Sequence, residues 1–122
     1  MATPLEILLG LASAAPTFLP DWDRTDPLPY VDVGDLVQHL QRELREGRTE
    51  EVAAVFATAE RRLATDPDAE NFIQIGFFEC VQNTSASAGL VQEDFEPFLG
   101  PRSAVAWQAL NSFWGGSTTP DN

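Results

Sequence analysis

Metal or nucleophilic chemistry in this chain of 122 residues would have to run through a single imidazole, His39, and a single thiol, Cys80. A zinc centre needs several such groups at ligand spacing, and a nucleophile needs a base beside it. The sequence holds no HExxH, paired CxxC or EF-hand loop, no GxSxG elbow and no glycine-rich phosphate loop. His39 stands one residue before Leu40, at the edge of an apolar helical face, and reads as a surface or boundary histidine. Cys80 follows Phe77, Phe78 and Glu79 and precedes Val81, the setting of a small buried hydrophobe rather than a reactive thiol. Carboxylates are so plentiful that pairing any two of them by eye says little about acid–base catalysis. The expectation is a chain with no catalytic residues, no cofactor and no metal ligands, and hence not an enzyme.

The carboxylates themselves are the larger signal. There are 19 Asp and Glu against seven basic residues, all of them Arg, for a net charge of −12. That balance excludes a nucleic-acid binder, which needs basic residues for phosphate, and an anionic membrane surface would repel it. It suits a basic protein partner, although acidity also serves solubility alone. Several carboxylates sit where helices start and are accounted for as caps. The excess lies in Asp21, Asp23, Asp26, Asp32 and Asp35, interleaved with Trp22 and Tyr30. Aromatics ringed by charge are typical interface anchors, and the same rings could equally staple a proline-rich loop to the core. Glu79 is the other exception, a carboxylate inside an apolar helix. It reads either as part of a wet stripe with Gln82 and Asn83 or as a groove residue that meets a basic group. The expected partner-binding set is therefore Asp21, Trp22, Asp23, Asp26, Tyr30, Asp35 and Glu79.

The elements that must position these residues are helices. Thr3-Pro4-Leu5-Glu6 is a capping box with Pro at the first helical position, so the apolar stretch after it reads as a helix over 4–14 and not a signal peptide. Pro16, Pro20, Pro27 and Pro29 then impose an ordered loop over 16–31, with one helical turn around Asp21. Asp32 caps a helix whose apolar face is Val33, Leu36, Val37, Leu40 and Leu44, and Gly47 ends it. Thr49 caps the next, with Val52, Val55, Phe56, Ala59 and Leu63, and the short connection makes the two an antiparallel hairpin. Asp66-Pro67 opens a central helix over 68–83 that is apolar nearly all round. A polar loop over 84–89, a short helix over 92–99 and a last helix from Pro101 that Gly115 and Gly116 end complete the chain. The fold class is all-α, five to six helices in antiparallel pairs, a right-handed array like a short helical-repeat protein of the HEAT or armadillo kind. Residues 1–116 form one domain and 117–122 a disordered tail.

Two segments carry a resemblance. The stretch "EEVAAVFATAERRLATDPDAENFIQIGFFECVQN" and the later "FLGPRSAVAWQALNSFW" resemble a group of small bacterial all-helical proteins of uncharacterised function, over roughly residues 18 to 114. The matching positions are Glu60, Asn71, Gly76, Glu79, Asn83, Gly100, Pro101, Trp107 and Trp114, which are packing rather than catalytic residues. Proteins of this look are similar to immunity proteins encoded beside secreted toxins of interbacterial competition. The resemblance implies a cytoplasmic inhibitor that binds and neutralises one cognate toxin. The charge adds an expected class of target, a basic toxin such as a nuclease, whose active site is electropositive and would attract an acidic occluding protein. The alternative is an acidic adaptor or scaffold that binds some other cellular protein. Oligomeric state is not legible.

Overall fold

The structure, a computed structural model, describes residues 3–22 and 25–118, with side chains as far as Ser112. It is all-α, and no strand occurs among the described residues. Helix α1 spans Pro4–Ser13, α2 Pro29–Arg45 and α3 Glu50–Thr65. A central helical stretch follows: a 3-10 turn over Pro67–Ala69, a π-helical turn over Phe72–Phe78, and α4 over Glu79–Thr84. Three further 3-10 turns, Ala86–Ala88, Gln92–Asp94 and Glu96–Phe98, lead into α5, Pro101–Thr118.

Local chemistry explains most of these limits. The Thr3 hydroxyl accepts the Glu6 N–H while the Glu6 carboxylate accepts the Thr3 N–H, which closes the expected capping box on α1. Gly47 takes φ +83°, and the N–H of Arg48 reaches back to the carbonyl of Glu43, so α2 ends in a Schellman turn that only a residue tolerant of positive φ completes cheaply. Thr49 stands at the start of α3 as expected but makes no side-chain cap.

Four boundaries differ from the sequence reading. Helix α2 begins at Pro29, not after Asp32, because proline's fixed φ suits the first helical position. Asp32 lies one turn inside and accepts the N–H of Leu28 at 3.2 Å. No helical turn forms at Asp21. The stretch 92–99 is two 3-10 turns rather than one helix, with Pro97 in the second. Helix α5 continues through Gly115 and Gly116 to Thr118: glycine weakens a helix by about 1 kcal/mol but does not forbid it. Residues 119–122 of the expected tail lie outside the described residues.

One core joins all the helices. Phe56 of α3 sits at its centre, with ring centroids 5.3 Å from Phe77, 5.9 Å from Phe78 and 5.9 Å from Phe95. Phe78 in turn meets Trp107 of α5 edge-on at 5.7 Å. All five rings are fully buried, and each contributes roughly 1.5–3 kcal/mol on the usual area scale. The predicted apolar faces of α2 and α3 point inward: Val33, Leu36, Val37 and Leu40, and Val52, Val55, Phe56 and Ala59, are buried. Helix α1 closes one side of the hairpin through Ile7, Leu8 and Leu11.

The resemblance motifs also find physical roles. The Glu60 carboxylate of α3 accepts the N–H groups of Arg102 at 3.1 Å and Ser103 at 2.9 Å, capping the N-terminus of α5 from a neighbouring helix. A Cβ on Gly100 would lie 2.5 Å from that carboxyl carbon, so glycine is what lets Glu60 reach. Asn71 donates to the Tyr30 hydroxyl at 2.9 Å, and Gly76 lies against the rings of Phe72 and Tyr30. The side chain of Trp114 lies outside those described.

Candidate functional site

The loop between α1 and α2 is held down by its own side chains. The Thr17 N–H and hydroxyl both donate to the Glu51 carboxylate, each at 2.7 Å. Phe18 packs against Trp22 and against the ring of His39 at centroid distances of 5.5 and 5.3 Å. Trp22 donates its indole N–H to Asp35 at 3.0 Å. The aromatic loop is thus stapled to α2, and in the same stroke Asp35 is fixed at the rim of a groove of about 450 Å³. Asp21 and Asp35 both line this groove, with Thr17, Gln38, His39 and Arg42 among its other walls. Leu19 stands out from the ridge, 87% exposed. On the other side of Phe18 and Pro20 a second groove, of about 310 Å³, runs along Leu9, Ala12 and Trp22.

Of the seven residues expected to bind a partner, three therefore gather here: Asp21, Trp22 and Asp35. Asp23 lies outside the described residues. Asp26 is exposed between the two ends of the loop and lines neither groove. Tyr30 and Glu79 are elsewhere, which corrects the expectation of one acidic–aromatic site over 21–35. Because α2 starts at Pro29, Tyr30 and Asp35 are five helical residues apart and point about 140° from each other at about 100° per residue. Tyr30 packs edge-on against Phe72 at 4.9 Å, on the central helix. Glu79 is half-buried with no hydrogen bond or ion pair among the described residues. Asn83, one turn on, is exposed, whereas Gln82 is buried and donates to the Trp107 carbonyl at 3.3 Å, so the expected wet stripe contains Glu79 and Asn83 but not Gln82.

Behind the groove lies a network that sequence spacing missed. His39 is buried, only 8% exposed, and not a boundary residue. Its Nε2 donates to Glu51 at 2.6 Å and lies 3.3 Å from the Thr17 hydroxyl. Burial pushes the Glu51 carboxyl up, but the hydrogen bonds from His39 and Thr17 outweigh it and hold the group below the usual carboxylate range. Glu43, one turn along α2 from His39, takes a two-pronged bond from Arg48 at 3.0 and 2.7 Å. That bond draws the Glu43 carboxyl down and raises the guanidinium. Arg48 also bonds Glu46. His39, Glu43 and Glu51 each offer a ligand atom within 4.8 Å of the others, the one group of three among the described residues that could hold a metal ion. The i, i+4 pair His39 and Glu43 was visible as a spacing on α2. Glu51, the third member, comes from the next helix and was not. Cys80 is partly buried, packed on the core, and burial pushes its thiol up, as expected of a structural cysteine.

No helix among the described residues is long and apolar enough to cross a membrane. No curated protein and no solved structure matches the chain. A family model described as a domain of unknown function, DUF7674, matches residues 9–115, and the chain belongs to that family.

Proposed function

We propose that this chain is a protein-binding domain that neutralises a basic partner, and that the partner is a cognate bacterial toxin met in the cytoplasm. The observation that carries the reading is the groove face: Asp21 and Asp35 form no ion pair with any described residue, yet Asp35 is held rigidly by Trp22. A carboxylate positioned by a hydrogen bond beside exposed apolar surface is preorganised for a cationic side chain, which lowers the ordering cost of association. The net charge of −12 extends that attraction beyond contact range. A toxin that acts on phosphate, such as a nuclease, presents the matching electropositive surface.

The test is genetic first. A toxin-domain gene beside this one is expected, and co-expression should restore growth to cells that the toxin kills. Replacing Asp21 and Asp35 with Asn should weaken the protection at equal protein level. An adjacent toxin that kills equally well with and without this chain contradicts the reading, and the adaptor alternative then takes its place.

A further inference from the structure

We propose that His39, Glu43 and Glu51 form a binding site for one divalent first-row transition ion, with Zn²⁺ and Mn²⁺ as the chemically suited cases. The inference is independent of any partner. His39 and Glu43 project from the same face of α2 one turn apart, and Glu51 projects from the first turn of α3. All three are only 8–9% exposed, and their ligand atoms lie within 4.8 Å of one another. One imidazole and two carboxylates form the mixed nitrogen and oxygen set that such ions take.

Charge is the reason to expect an ion. Buried carboxylates must be paired or coordinate a metal. Glu43 and Glu51 bring two negative charges into one buried cluster. Arg48 offers one positive charge and divides it between Glu43 and the exposed Glu46. A divalent cation between the two carboxylates makes up the difference. Two features favour the cation. The cluster reaches an open groove through His39, and that groove is lined by two carboxylates, Asp21 and Asp35, against the single guanidinium of Arg42, which favours cations there. Arg48 is itself half exposed, so it can leave Glu43 for Glu46 without abandoning a buried position. On binding, the ion takes the Nε2 lone pair, the proton that Nε2 donates to Glu51 is exchanged through solvent for one on Nδ1 so that the ring stays neutral, and one oxygen each of Glu43 and Glu51 completes three protein ligands.

Because His39 is the only histidine, its ring resonances report the site without ambiguity. The experiment titrates the untagged full chain with ZnCl₂, followed by proton NMR of the imidazole and by calorimetry. Saturable shifts of the His39 ring at one equivalent are expected, with Mn²⁺ broadening the same resonances. His39→Gln should weaken Zn²⁺ binding by about 100-fold or more, at least the loss that follows removal of outer-shell support. Should that variant not fold, Glu51→Gln and the NMR of the unaltered chain decide. An unmoved His39 ring at several equivalents, with heat arising only from weak sites shared by the variants, overturns the proposal: the cluster is then a closed hydrogen-bonded network and the surface carboxylates bind cations adventitiously.

Discussion

Glu60 and Gly100 show how single residues set this architecture. A carboxylate that caps a helix from a neighbouring helix does the work of a local Ser or Asp cap, and such caps contribute about 0.5–2 kcal/mol. Gly100→Ala places a Cβ 2.5 Å from the carboxyl carbon and must push Glu60 off the N-terminus of α5. We expect a loss of about 1–2 kcal/mol in urea denaturation. A midpoint equal to the wild type would show that Glu60 is not needed there. The same carboxyl predicts a pH effect. Burial raises it, but the N–H groups of Ser103 and Arg102 win and hold it low, as Thr17 and His39 do for Glu51. A carboxyl whose folded value is depressed stabilises the fold above its unfolded value, near 4.5, and that contribution disappears as pH falls through the folded value. Stability should therefore be nearly flat from neutral pH down to about 5 and fall below it. Glu60→Gln should be less stable at pH 7 and fall less steeply, with the residual slope left to Glu43 and Glu51.

Elements were legible where periodicity and punctuation agree. The inward faces of α2 and α3, the capping box on α1 and the glycine at the end of α2 follow from spacing alone, because burial and positive φ act within one turn of the chain. The N-terminus of α2 was misplaced because Asp32 and Pro29 both signal a start, and proline prevailed. That error of four residues joined Tyr30 to Asp35, which in fact face different sides. The π-helical turn over Phe72–Phe78 left no sequence signal, since it is set by what the rings pack against. Gly76 in that turn gives a test of the packing. Glycine to alanine gains up to about 1 kcal/mol of helix propensity. Here the new methyl meets Phe72 and Tyr30 at 3.2 Å, and Tyr30 is tied to Asn71. We expect the clash to win by about 1 kcal/mol, and Tyr30→Ala to relieve the part of that cost that does not come from Phe72. Equal effects of Gly76→Ala in both backgrounds would contradict the contact.

For the whole molecule, the acidic excess is distributed unevenly in meaning. Asp66, Glu60, Glu51 and Glu43 hold the fold together through caps and ion pairs, while Asp21 and Asp35 remain available on one face. Composition gives the sign of this chain's own charge but not the face that presents it. Locating it required knowing that Trp22 bonds Asp35 and that Thr17 is anchored by Glu51, both contacts between residues distant in sequence. The claim that this face meets a basic toxin is tested most directly by the association rate with the protein encoded beside it, measured by stopped flow across ionic strengths. Replacing Asp21 and Asp35 with Asn should slow association about tenfold at low salt, with the difference shrinking as salt screens the charges and dissociation little changed. An association rate identical to the wild type at every ionic strength would contradict the account.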